Sequence, residues 1–205
     1  MRISKLKLLF VFLLFSLLTA CASNKTLTGS TVQWHKQKQQ INQIKHWSVK
    51  GKIAVTTPEE KFSSNYSWQH APIHQELMLY GAFGNTYAHL IDKNQLATLT
   101  LSNKDVFQSD DVERLSEKIL GYPFPIGKMQ YWFKGLPHPE NNGELEYDEF
   151  GYLKSINHEQ WKISYRKYQR FKRFNQIMLP TKITITNGQI TIKLSNRNWK
   201  IGTDL

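Results

Sequence analysis

The amino-acid sequence predicts a mainly β domain with helices, about ten short antiparallel strands in a strongly curved sheet or incomplete barrel. Three observations carry that expectation. Apolar and polar residues alternate with period two in run after run from Trp47 to Leu194, as strands with one buried face require. Turn signals such as Thr57-Pro58-Glu59-Glu60, Lys93-Asn94 and Asn187-Gly188 separate the runs, as in hairpins. One helical insert, Asp110 to Pro137, interrupts them midway. A sheet of that many strands curls, and helices can cover its open side.

The first element is not part of the domain. Arg2, Lys5 and Lys7 precede an apolar run from Leu8 to Leu18. At 1.5 Å per residue that run reaches about half of a ~30 Å hydrocarbon core. A basic start, a short apolar segment and a small-residue end read as a secretory signal peptide over residues 1–20. Leu18-Thr19-Ala20-Cys21 looks like a bacterial lipobox, with Cys21 the acylated residue. Cys21 is the single cysteine in the 205-residue chain, so no disulfide can form once it is acylated. Residues 21–33 read as the lipidated cysteine and a flexible polar linker. Residues 34–205 form the expected domain.

Within it, Trp34 to about His46 reads as an amphipathic helix with Trp34, Ile41 and Ile44 as its stripe and Ser30 or Thr31 as its cap. Trp47, Val49, Gly51, Ile53 and Val55 then share one strand face, and Phe62, Ser64, Tyr66 and Trp68 share the next. A third strand runs through Leu77-Met78-Leu79-Tyr80. Gly81-Ala82-Phe83-Gly84-Asn85 is a turn around one large apolar side chain. Strands resume at Thr86–Asp92 and Leu96–Leu101. Asp110 with Glu113 predicts the capped start of a helix ending at Gly121. A second helix runs from about Ile126 to Lys134. Strands follow at Gly143–Tyr147, Tyr152–Asn157, Trp161–Tyr168, Lys182–Thr186 and Gln189–Leu194.

The formal charge is +11, and it stays strongly positive after residues 1–20 are removed. Such a surface suits anionic lipid or an acidic partner, whereas nucleic acid is not expected for an exported chain. Arg166-Lys167-Tyr168-Gln169-Arg170-Phe171-Lys172-Arg173 holds five cations. It reads either as a solvated hairpin loop or as an electrostatic contact with headgroups or an acidic carrier.

No G-x-S-x-G, P-loop or H-E-x-x-H motif is present, so no enzymatic activity, cofactor or metal is assigned. His70 and His74 have a helical metal spacing, but Pro72 between them makes a turn. The other histidines, His158 included, read as surface. Aromatic residues make up 13 % of the chain. With Val49, Ile53, Val55, Tyr66, Trp68, Leu77 and Leu79 on the apolar strand phases, they either fill a solid core or line a cavity for acyl chains.

Several segments resemble the LolB family of outer-membrane lipoproteins. They are the lipobox, the Gly51-Lys52-Ile53-Ala54-Val55 strand, Trp68, Leu77-Met78-Leu79 before the glycine-bracketed loop, and the Asp110–Leu120 helix. The most specific are Gly121-Tyr122-Pro123-Phe124-Pro125 and Trp132-Phe133-Lys134-Gly135-Leu136-Pro137. The resemblance implies an unclosed antiparallel β-barrel of about ten or eleven strands under a helical lid, with a hydrophobic cavity for acyl chains. It implies a lipid-anchored monomer on the periplasmic side of the outer membrane. It also implies that acylated lipoproteins arrive from a LolA-like periplasmic carrier and are inserted into outer-membrane lipid. In that family a protruding loop carries one exposed apolar residue, and Phe83 followed by Gly84 takes its place. Gly81-Ala82 stands where the family often has Asn-Pro. Ala22 after the acylated cysteine, rather than Asp, is consistent with outer-membrane residence. The alternative reading is a membrane-tethered, periplasm-facing binder of a small hydrophobic ligand.

Overall fold

The computed structural model describes residues 29–171 and 177–202. Among these residues eleven antiparallel strands form one sheet in the spatial order β6-β5-β4-β3-β2-β1-β11-β10-β9-β8-β7. They are β1 (Trp47–Thr56), β2 (Lys61–Ala71), β3 (His74–Tyr80), β4 (Thr86–Lys93), β5 (Leu96–Leu101) and β6 (Val106–Ser109). The second half comprises β7 (Leu145–Tyr147), β8 (Leu153–His158), β9 (Trp161–Phe171), β10 (Ile177–Thr186) and β11 (Thr191–Ile201). Each strand pairs with its neighbour in the chain, except that β1 closes on β11 and β6 and β7 stay apart as the two edges. The sheet is an unclosed barrel.

Among the described residues three helices accompany the sheet: α1 (Gly29–Asn42), α2 (Val112–Leu120) and α3 (Ile126–Trp132). Helix α1 packs on β10, and α2 packs on β5, β6 and α3. None of the described helices is long and apolar enough to cross a membrane.

The strand registers fix one inner face. Trp199, Val49, Trp68, Leu77, Leu90, Leu99 and Phe107 lie directly opposite one another across β11-β1-β2-β3-β4-β5-β6. Seven strands thus share one uninterrupted apolar row, because a period-two pattern in register puts every hydrophobic side chain on the same face. The loop from α3 drops Phe133 onto this face. Its ring lies 4.7 Å from Trp68, edge to face, and 5.9 Å from Tyr66. Trp47, Trp68, Trp132 and Phe133 are all at most 2 % exposed. Such edge-to-face pairs add to area burial.

Close approach explains one glycine. A Cβ on Gly51 would sit 2.3 Å from the Ser195 carbonyl and 2.8 Å from the Tyr66 ring. The space lets the Tyr66 hydroxyl donate to Asn196 Oδ1 at 2.6 Å, while Asn196 Nδ2 donates to the Pro180 carbonyl at 3.1 Å. One buried polar chain ties β2, β11 and β10 together.

Several expectations need correction. The first helix ends at Asn42, and Ser30 and Thr31 lie within it rather than capping it. Strand β6, Val106–Ser109, is an addition to the strands that the sequence pattern predicts. Asp111, not Asp110, caps α2, accepting from the Glu113 and Arg114 N–H groups; Gly121 ends the helix at φ +75°, as expected. The last hairpin turn is shifted by one residue. Asn187 is its first corner, its side chain accepting from the Gln189 and Ile190 N–H groups, with Gly188 at φ +91°. His158 is buried, 2 % exposed, its Nδ1 2.9 Å from Asn141 Oδ1.

Candidate lipid-binding face and exposed loop

The inner face changes character along β3. At the start of β3 it is polar. His70, Gln75, Asp92, Glu113 and Lys134 border a hollow of about 1110 Å³. Gln75 donates to Asp92 at 2.8 Å, and His70 stacks on Trp47 at 5.1 Å with Nε2 2.6 Å from Gln130 Oε1. Lys134 is 7 % exposed, donates to the Ile44 carbonyl at 3.3 Å, and its ammonium pKa is pulled down to about 8 by burial and by Lys45. Ile44, Ile73, Val112 and Tyr131 also border the hollow, but its buried polar groups make it a poorer place for acyl chains than an apolar wall. His70 and His74 do not combine with a third ligand: among the described residues no group of three metal-binding side chains is assembled.

At the other end of β3 the face is apolar. The seven residues singled out for a cavity divide here. Val49, Tyr66 and Trp68 are at most 1 % exposed and lie in the aromatic layer with Phe133 and Trp47. Ile53, Val55, Leu77 and Leu79 are half-buried, as are Ala88, Leu101 and Phe107 beside them. Leu79 faces Tyr66 on one side and Ala88 on the other, and Ala88 faces Leu101. Ile119 of α2, with Tyr122 and Phe124 after it, is half-buried against the same core, whereas Val112 at the start of α2 borders the polar hollow. Sequence alternation identified the strand contributions. The helical ones were legible only as the face of an amphipathic helix.

The lid is fastened at the apolar end. The Tyr122 hydroxyl donates to Glu59 in the β1–β2 turn. That bond holds the Glu59 carboxyl below its ordinary range and raises the phenol.

The loop 81–85 leaves β3 at this same end. Gly81 N–H donates to the Asn85 carbonyl at 2.8 Å and Gly84 N–H to the Gly81 carbonyl at 3.2 Å. Asn65 Nδ2 donates to the Gly81 carbonyl at 3.4 Å. Gly84 has φ +85°, which a side chain would oppose. Phe83 stands at the tip, 100 % exposed. A closed turn therefore presents one aromatic ring to solvent beside the apolar half of the inner face.

The basic run is only partly a loop. Arg166, Lys167 and Arg170 lie on β9, a correction to the hairpin-loop reading. Lys172 and Arg173 fall outside the described residues, as do Cys21 and the whole signal peptide.

Comparison with known proteins agrees with this geometry. The family model for outer membrane lipoprotein LolB matches residues 45–199. The outer-membrane lipoprotein LolB of Chromohalobacter salexigens is 29 % identical over 194 residues, 93 % of this chain and 89 % of that one. That of Tolumonas auensis is 28 % identical over 198 residues, 96 % of each. Among solved structures, a LolA superfamily protein of Nitrosomonas europaea superposes with a TM-score of 0.50 at 10 % identity, over 83 % of this chain and 94 % of that one. It shares the fold. With most of its sheet and its lid inside the matched span, the chain belongs to the LolB family of outer membrane lipoproteins.

Proposed function

We infer that this protein is an outer-membrane lipoprotein that accepts acylated lipoproteins from a soluble, LolA-like periplasmic carrier and passes them into the outer membrane. In this reading residues 1–20 direct export, Cys21 carries the acyl chains, and residues 21–33 tether the domain to the inner leaflet. The observation that carries it is the half-buried apolar half of the inner face, Ile53, Val55, Leu77 and Leu79, next to an exposed Phe83. Acyl chains leaving a carrier stay out of water if they slide onto this face, and each CH₂ kept dry is worth about 0.8 kcal/mol. No bond is made or broken, so directionality comes from a better-fitting site downstream. Phe83 and Gly84 form the membrane-insertion loop, bringing the open end of the barrel to the bilayer. The basic residues of β9 add a charged contact.

The test is transfer. A purified LolA-like carrier loaded with an acylated lipoprotein is mixed with the full chain, and the lipoprotein is followed by affinity capture of either protein. Movement of cargo onto this protein is expected. Cargo that stays on the carrier would overturn the reading.

A further inference from the structure

The outer face of the sheet carries a cluster that no single stretch of sequence reveals. Lys52 on β1 and Lys182 on β10 both lie opposite Ser195 of the intervening β11. Lys193 is two residues before Ser195, hence on the same side of the same strand. Arg166 follows Tyr165, the β9 partner of Ile183. These four cations, with Tyr80, line one concavity of about 680 Å³. No carboxylate lines it, and among the described residues none of the four has an ion-pair partner. Lys182 instead donates to Ser195 Oγ at 2.8 Å.

Like charges set side by side on a sheet repel one another, and an anion between them removes that penalty. The position of the hollow says which anion. Its wall includes Gly81 and Ala82, so it begins one residue from Phe83. A loop tip in the acyl region of a bilayer would leave a site this close at headgroup depth. We propose that Lys52, Lys182, Lys193 and Arg166 form a binding site for an anionic phospholipid headgroup on the outer face of the sheet. The site rests on the membrane-insertion reading of Phe83. It holds the domain against the bilayer while the apolar inner face stays free for cargo.

The experiment titrates detergent-solubilised full-length protein with dihexanoyl phosphatidylglycerol, dihexanoyl phosphatidylcholine and inorganic phosphate, by calorimetry at low and high salt. Equal acyl chains cancel any binding to the inner face. The anionic lipid is expected to bind roughly tenfold more tightly than the zwitterionic one at low salt, with the advantage shrinking as salt rises. Lys52→Gln/Lys193→Gln should abolish the preference, Lys52→Arg/Lys193→Arg should keep it, and Lys118→Gln/Lys154→Gln should leave it unchanged. Equal affinity of the wild type for the two lipids overturns the proposal, whether or not cargo still moves from the carrier. Inorganic phosphate binding as tightly as the anionic lipid overturns it too, since the site would then read a free anion. If the Gln pair keeps the lipid preference but no longer takes cargo from the carrier, the cations face the carrier and the lipid assignment fails, while the transfer function stands.

Discussion

Replacing Phe83 with glutamate should separate the two halves of the transfer reaction. The ring is 100 % exposed, and the bonds that hold the loop run between Gly81, Gly84, Asn85 and Asn65. Its loss should therefore change folding stability by no more than about 0.5 kcal/mol, the usual range for surface positions. In a bilayer the same ring gains about 1.5–3 kcal/mol on leaving water, equivalent to roughly 10–150-fold in membrane occupancy. A carboxylate forfeits that gain and adds a desolvation cost. The assay follows a labelled lipoprotein first onto the full-length protein and then into liposomes. Acceptance and melting temperature should match the wild type, while delivery falls by about tenfold or more. Phe83→Leu should deliver normally, because the tip needs only an apolar side chain. Equal loss of acceptance and delivery, with a lowered melting temperature, would show that Phe83 is ordinary packing and refute the loop's assignment.

Other outcomes follow from the buried groups and the anchor. Tyr66→Phe orphans Asn196 Oδ1 between β2 and β11 and should cost about 1–3 kcal/mol in urea unfolding; an unchanged midpoint would mean that the bond contributes nothing. Burial depresses the Lys134 pKa to about 8, whereas the unfolded chain holds that proton up to about 10.4. Between those values the unfolded state binds more protons, so stability should rise with pH, by up to ~2 kcal/mol by pH 10. Above that the trend should reverse, because burial keeps Tyr165 and Tyr168 protonated while unfolded tyrosines ionise. Lys134→Met should flatten the rise between pH 8 and 10, and a rise that persists would place its cause elsewhere. Cys21→Ser should abolish incorporation of labelled palmitate and leave the precursor uncut; label on the serine variant would refute the lipobox.

The strands that were legible are those whose pattern repeats long enough to show its phase. Trp47 to Val55 and Phe62 to Trp68 are examples, and their inner residues are the ones the registers bring together. Strand β6 escaped because it is four residues long, with Phe107 its one inward apolar side chain in the row. It also follows a turn in which Lys104 has φ +70°. Packing across elements left no local trace. Nothing in Trp132-Phe133-Lys134 says that Phe133 seats on Trp68, so the sequence does not separate the cavity and solid-core readings; the inner face is filled at the aromatic layer and its apolar residues beyond are half-buried. The outer-face cations were equally hidden. Lys52 and Lys193 are each the ordinary polar phase of a strand, and only the pairing of β1 with β11 makes them neighbours.

Cargo acyl chains lying on the apolar half of the inner face would reach Leu79 and not Met78. Leu79 and Met78 are adjacent, similarly half-buried, and point to opposite faces. Leu79 pairs with Tyr66 and Ala88 inside, and Met78 with Ser67 and His89 outside. A photoreactive amino acid placed at either position, in full-length protein loaded with lipoprotein from the carrier, reads the location directly. A covalent adduct through the lipoprotein's acyl chains is expected at position 79 and none at position 78. An adduct at 78 and none at 79 would place the chains off the inner face.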